Sequence, residues 1–428
     1  MTQEQSLYDY EIAGQNGIYD LSWPQLHVSA HIAYMKNEGS YETKGEITFE
    51  SNRPGTSGTH LRNGRVNLTS PAARKTFSKW LTERDDQVDW DEVMDQLCVA
   101  VLERWRSGAE LERLDGKTDV EALQKWLIHP LVLLSNPTVL YAPGSSAKSF
   151  LAQYLAVLVD AGFSHNGLHV EPAKVLYLDW ETDSRELGSR VTMIRRGLAM
   201  EGESNIWYRS MHQGLANDIE RIKQICEKQA IGFIIIDSIG QACMGEPESA
   251  EVVLRMFSAL RSLNISSLCI DHTNKANESG GSNNLFGSVY KYNQARQIFE
   301  AKKSQHEDAS KIVLGLFHKK ANNSMLIKPI GFSLTFGDGK IVIDRQDVRD
   351  TELESEMRLP DRIEGLLRNR PGGMSVIQIA EELGKTDTHV RKELSIGKNK
   401  GRFTVLGSGN YANRAWETEL AEEESWKI

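Results

Sequence analysis

The sequence predicts an α/β protein built around a parallel sheet with helices on both faces. A smaller α+β unit precedes that sheet, and a three-helix unit with a short hairpin follows it. Three observations carry this. Apolar runs of four or five residues recur between helical stretches in the middle of the chain, as doubly covered strands do. The first of them, Leu140-Tyr-Ala142, runs into a small-residue loop and then a helix. Near the end, three helical segments separated by short turns lead into two strand-like runs.

Length and charge set the bounds. At 428 residues the chain exceeds one ordinary core and suggests two or three domains. A net charge of −9 argues against a nucleic-acid coat over the whole surface, so any polyanion site must be local. The four cysteines Cys98, Cys226, Cys243 and Cys269 are scattered without a CxxC pair, a pattern of buried thiols in a reducing compartment. No apolar run approaches about 18 residues, and Met1 to Tyr10 is polar rather than a secretory leader. The expectation is a soluble, cytoplasmic protein with no membrane partner.

Residues 1–125 read as an N-terminal α+β interaction domain. Leu26 to Tyr34 and Gly45 to Phe49 are strand-like and joined by a polar connection. Asn67-Leu-Thr-Ser-Pro71 caps a helix that carries Phe77, Trp80 and Leu81 on one face. Trp90, Val93, Met94, Leu97, Val101 and Trp105 recur at helical spacing in the next helix, as core residues do. Arg62, Arg65, Arg74 and Lys75 form a modest basic cluster whose plainest reading is a solvated face. The unit shows no catalytic constellation. Gly108 to Thr118 is charged and polar and reads as a linker.

Residues 126–345 form the α/β core. After Leu140 to Phe150 come a helix from Ser149 to Ala161 and the strand Lys174 to Asp179, ending in Trp180-Glu-Thr-Asp183. Helical stretches from Asp218 to Lys228 and Val252 to Leu263 lead to the strands Gly232 to Asp237 and Ser267 to Asp271. In such sheets ligands sit at the carboxyl ends of the strands.

The loop residues Pro143, Gly144, Ser145, Ser146, Ala147, Lys148, Ser149 and Phe150 approach the G-x-x-x-x-G-K-[ST] pattern. There, backbone N–H groups cradle phosphates, the lysine reaches the β/γ-phosphates and the hydroxyl holds Mg²⁺. Ala142 and Ala147 stand where that pattern has glycines. Alanine resists positive φ, so the loop must close in right-handed geometry or carry strain. Ile234-Ile-Ile-Asp237 is an apolar strand ending in an acid, as a Walker B element requires, and Asp237 can order the Mg²⁺ shell beside Ser149. Hydrolysis of ATP also needs a group that orients and deprotonates water. Glu181 is the candidate, and Asp179 competes for the role. His272, ending the next apolar strand, is placed to touch a γ-phosphate; a structural strand-end histidine is the alternative.

Residues 358–417 read as a winged helix-turn-helix domain, with Gly384 at the turn. From Arg358 to Arg414, Lys and Arg number 11 against 6 for Asp and Glu, so the unit is locally basic inside an acidic chain. Thr386, His389 and Lys392 are the candidate DNA-binding residues on its second helix; a unit that only packs or dimerises is the alternative. Residues 418–428 form an acidic tail expected to be disordered.

Taken together, Ala142 to Ser149, Leu178-Asp-Trp-Glu181, Ile234 to Ser238, Asp271-His-Thr-Asn-Lys275, and Phe286-Gly-Ser288 with Ala295-Arg296 resemble the RecA-like AAA family ATPases of the RepA type. These AAA_25-like proteins of plasmids, phages and other mobile elements are related to hexameric replicative helicases. The resemblance covers about residues 126–340. It implies a RecA-like core, a homo-oligomeric ring expected to be a hexamer, and ATP with Mg²⁺ bound between subunits. It assigns Lys148 and Ser149 to the loop, Glu181 as catalytic glutamate, Asp237 as Walker B acid and His272 as sensor. It also implies cations from a neighbouring subunit, with Arg296 placed as the trans finger and Lys320, beside Lys319, as a second. Asn274 to Asn284 lies where the family has its pore loop, and Lys275 is its one lysine for single-stranded DNA. The resulting expectation is an ATP-driven DNA motor, a replicative helicase or helicase-like ATPase, with duplex DNA on the winged helix and a replication or defence partner on residues 1–125. The alternative is an ATP-switched DNA-binding regulator or defence component that assembles on DNA without unwinding it.

Overall fold

The computed structural model describes residues 8–413 apart from 16, 54–59, 109–112, 114–124, 247–248, 274–288, 306–307, 309, 323, 369, 371 and 408. The chain divides into two compact units, the first lying mainly within residues 1–119 and the second beginning at residue 120.

In the first unit, β1 (Glu11–Gln15), β2 (Ile18–Trp23), β3 (Val28–Glu38), β4 (Glu42–Ser51) and β5 (His60–Asn67) form an antiparallel sheet in sequence order. Two helices follow, α1 (Pro71–Thr82) and α2 (Trp90–Ser107). Ser70 caps α1 by accepting from the Ala73 N–H, with Pro71 in the first turn, and Asp89 caps α2. Period-two alternation in β2 to β5 buries one face of the sheet, where Trp23, Phe49, Phe77 and Trp90 form an aromatic core with α1 and α2. Trp105 packs at its margin, whereas Trp80 is exposed beneath the Arg62 guanidinium.

The second unit opens with β6 (Trp126–His129) and β7 (Val132–Leu133), which join β9 (His169–Val170) in a small sheet. The main sheet begins at β8 (Pro137–Ala142), followed by α3 (Lys148–Ala161), β10 (Lys174–Asp179), α4 (Ser184–Gly197), β11 (Trp207–Ser210) and α5 (Leu215–Gln229). Next come β12 (Ile231–Asp237), α6 (Ile239–Cys243), α7 (Ala250–Ser262), β13 (Ser266–His272) and α8 (Val289–Gln294). Strands β14 (Gln297–Gln305), β15 (Lys311–Ala321), β16 (Ile330–Gly337) and β17 (Lys340–Gln346) complete it.

The spatial order is β11-β10-β12-β13-β8-β14-β15-β16-β17. The six strands from β11 to β14 are parallel, and β15, β16 and β17 are antiparallel. The parallel sheet expected from sequence is therefore only part of a mixed one. The reason lies in the connections: those after β14 are too short for a crossover helix, so the chain can only turn back. Helix α4 lies close against β17, and Gly197 permits it, because a Cβ there would stand 1.9 Å from the Ile341 carbonyl oxygen. All four cysteines are buried and free.

Beyond residue 346 the chain forms α9 (Leu359–Arg368), α10 (Val376–Leu383), α11 (Asp387–Asn399) and a hairpin of β18 (Phe403–Val405) and β19 (Tyr411–Asn413). Ser375 and Gln378 make a reciprocal capping box on α10, and Gly384 ends that helix at φ +61°. Ile363, Leu367, Ile379, Val390, Leu394 and Phe403 form a separate small core. The acidic tail lies outside the described residues.

Candidate nucleotide site

Four parallel strands deliver the site. In register, Asp237 of β12 pairs with Asp179 of β10, and His272 of β13 pairs with Ala142 of β8, so their carboxyl ends form one rim. The loop after β8 meets the start of α3 there. Ser145 and Ala147 adopt left-handed backbone conformations at φ +57° and +60°. Of the two closures open to an alanine-containing loop, the chain takes the strained one, at a cost of about 1–2 kcal/mol for a left-handed alanine. The Ser146 hydroxyl donates to the Pro143 carbonyl (2.6 Å) and helps close the loop. Lys148 is buried, and its ammonium donates to the Ala142 (3.0 Å) and Pro143 (2.8 Å) carbonyls. Burial pushes the ammonium below its ordinary value, opposed by Asp237, Glu181 and Asp271. Phe150 packs edge-on to Phe336 and under the Arg190 guanidinium.

Ser149 Oγ donates to Asp237 Oδ2 (2.8 Å), uniting the loop hydroxyl and the carboxylate at the end of β12. Asp237 is only 6% exposed, and burial raises its carboxyl above the ordinary range. A buried carboxylate beside a hydroxyl, next to a loop on a helix N-terminus, fits a hard cation and a phosphate chain. At Gly144 a Cβ would meet nothing within 4 Å, so the loop leaves open room on that side.

Asp179 and Glu181 stand in different surroundings. Asp179 is buried and builds the turn: Oδ1 accepts from the Glu181 (2.8 Å) and Thr182 (3.1 Å) N–H groups, and Oδ2 from the Thr182 hydroxyl. Asp183 caps α4, and the Trp180 indole donates to the Gln213 carbonyl. Glu181 is left presented, its side chain 33% exposed. Its Oε1 accepts from Ser238 Oγ (2.7 Å) and lies 3.4 Å from His272 Nε2. The histidine contact, first, and the serine hydrogen bond hold its carboxyl below the ordinary value, against desolvation.

Lys148, Ser149, Glu181, Asp237 and His272 thus meet at one rim. Arg296 and Lys320 do not. Arg296 precedes β14 and donates its backbone N–H to Pro137 at the start of β8, about 16 Å along the strand from the loop. Lys320 pairs with Ile298 at that same far end, and its ammonium caps α8 through the carbonyls of Tyr292 (2.7 Å), Asn293 (3.1 Å) and Ala295 (2.8 Å). Lys275 and the rest of the expected pore loop lie outside the described residues. On α11, Thr386 serves as N-cap, accepting from the His389 N–H, while His389 and Lys392 are exposed.

Several residues of the site carried no sequence signal. Ser238 holds Glu181, and Tyr177 donates to Asp237 Oδ2 (2.8 Å) from within the sheet. Lys291, fully buried on α8, pairs with the buried Asp271 at 2.9 Å. Lys303 reaches the Ser145 carbonyl oxygen (3.5 Å) from β14. Exposed Arg391 and Lys398 enlarge the basic surface of α11; only the local charge excess marked them in advance.

Residues 110–278 match a family model described as AAA domain. Among solved structures the chain is similar to a KaiC-like protein from the hyperthermophilic archaeon Pyrococcus horikoshii OT3, at 14% identity, covering 50% of this chain and 93% of that one, with a TM-score of 0.35. No curated protein matches. No helix among the described residues is long and apolar enough to cross a membrane. Over residues 110–278, the stretch that holds Lys148, Ser149, Glu181, Asp237 and His272, the chain is similar to AAA domains.

Proposed function

We propose that this chain is an oligomeric, ATP-hydrolysing DNA motor of the RepA type. The observation that carries the reading is the convergence of a buried lysine, a hydroxyl–carboxylate pair and a presented glutamate on one rim of the sheet. Lys148 and the loop N–H groups bind the phosphates of ATP. Ser149 and Asp237 would hold Mg²⁺, which would supply positive charge against the phosphates of the nucleotide. Glu181 takes a proton from the attacking water, whose oxygen bonds to the γ-phosphorus as the bond to the β-phosphate oxygen breaks, giving ADP and phosphate. His272, beside Glu181, is the group that senses loss of the γ-phosphate. Arg296 stands too far from its own loop to act there, which supports a role toward a neighbouring subunit's nucleotide in a ring.

Helix α11, with Arg391, Lys392 and Lys398 exposed, supports duplex DNA binding by residues 358–417 as a winged helix. Residues 1–125 serve a replication or defence partner, and the protein acts in the cytoplasm of a host carrying a mobile element. ATP turnover of the purified protein, with and without single-stranded DNA and beside a mass determination of the assembly, tests the reading. DNA-stimulated hydrolysis by a ring-sized assembly is expected. Slow, DNA-indifferent turnover in which ATP changes only the assembly would replace the motor with a switch that assembles on DNA.

A further inference from the structure

Asp237 is held from inside the sheet as well as from the loop. Tyr177 of β10 is fully buried and pairs in register with Ile235, so it shares a face with Asp237 two residues on. Its hydroxyl and that of Ser149 both donate to Asp237 Oδ2, each at 2.8 Å. A carboxylate only accepts, so the phenol proton is committed to Asp237 and the phenol oxygen is free to accept. Gln153, 1% exposed and one turn beyond Ser149 on α3, stands against that phenol and lowers its pKa against burial, as a neighbouring amide N–H does. The Gln153 Oε1 is buried with no hydrogen-bond partner among the described residues, an arrangement that proteins ordinarily avoid. Helix α3 thus grips the carboxylate twice, directly through Ser149 and through Tyr177 by way of Gln153.

We infer that Tyr177, backed by Gln153, is a positioning residue that fixes the Asp237 carboxylate for magnesium. The inference rests on the proposed reading of Ser149 and Asp237 as the magnesium-holding pair. Tyr177 touches neither nucleotide nor metal; it acts through Asp237, as the outer partners of metal-holding carboxylates do. A buried tyrosine that merely satisfies its hydroxyl would affect nucleotide binding equally with and without the metal, whereas a positioning residue affects only the metal-dependent part.

The test is equilibrium binding of a fluorescent ADP analogue to the full chain, in magnesium and in EDTA. In the wild type, magnesium strengthens binding. In Tyr177→Phe, binding in EDTA should match the wild type while the magnesium concentration needed for half the gain rises about 10–100-fold. Gln153→Met, which keeps the volume of the side chain, should shift it the same way by less; it carries the test alone if Tyr177→Phe does not fold. Magnesium titrations of either folded variant that overlay the wild type, or equal losses in both media, would overturn the inference while leaving the nucleotide site intact. Wild-type protein that binds no nucleotide in either medium would instead remove the premise, and the inference with it.

Discussion

The two ends of the nine-stranded sheet carry similar residue types in opposite circumstances. At the carboxyl ends of β8, β10, β12 and β13, charged groups are buried or half-buried and converge: Lys148 on loop carbonyls, Ser149 and Tyr177 on Asp237, Ser238 and His272 on Glu181. At the amino ends of β8 and β14, Lys320 is spent on a helix terminus and Arg296 is exposed. Both ends hold cations, so a positive residue beside a strand marks no site by itself. What distinguishes the loop end is acids and hydroxyls arranged around one open space, some of them at the expense of backbone strain.

Arg296 and Lys320 offer the sharpest way to break this comparison. Arg296→Ala should lower turnover about 10³-fold, as loss of a trans cation does, and recover when mixed with Glu181→Gln subunits. Absence of recovery would confine Arg296 to its own chain's surface. Lys320→Ala, which strips three carbonyls of their donor, should instead lower stability by about 1–2 kcal/mol, read as a shift in the denaturation midpoint. A large loss of turnover at unchanged stability would move Lys320 into the site.

The Glu181 carboxyl lies below its ordinary value of 4.5 chiefly because of His272. Its contribution to stability is therefore present above 4.5 and is lost as pH falls through the lower folded value. As a base it should stay ionised across the neutral range, and the acid limb of turnover should move upward in His272→Ala. An unmoved limb would detach His272 from Glu181. The smallest effect concerns the loop itself: Ala147→Gly should relieve the left-handed alanine and raise stability by up to about 1 kcal/mol, measured by chemical denaturation. A loss of stability would mean that the loop is not strained at that position.

Much of this was legible in the sequence, for identifiable reasons. The strands β8, β10, β12 and β13 are short apolar runs ending in polar residues, and such runs announce both burial and a ligand-facing end. Strand direction is a different matter. Lys311–Ala321 is as apolar at its centre as a parallel strand, and only the short connections around it make it antiparallel. Strand β5, His-Leu-Arg-Asn-Gly-Arg-Val-Asn, is polar and contains glycine, so its place depends on pairing with β4 rather than on its own propensity. Within the site, Lys148, Ser149, Asp237 and Glu181 stand in spacings that chemistry demands. Tyr177, Gln153, Ser238 and Lys291 acquire partners only when the sheet forms, and nothing local marks a tyrosine in an apolar strand as a hydrogen-bond donor to a carboxylate.

The central claim is that one rim binds and cleaves ATP with divided roles. Nucleotide affinity and ATP turnover, measured side by side in Lys148→Ala and Glu181→Gln, test it most directly. Lys148→Ala should lose binding by about 100-fold or more, as removal of a buried charged donor does. Glu181→Gln should bind like the wild type while turnover falls about 10²–10⁴-fold, the loss expected for a general base. Equal loss of binding in the two variants, or undiminished turnover in Glu181→Gln, would contradict the account.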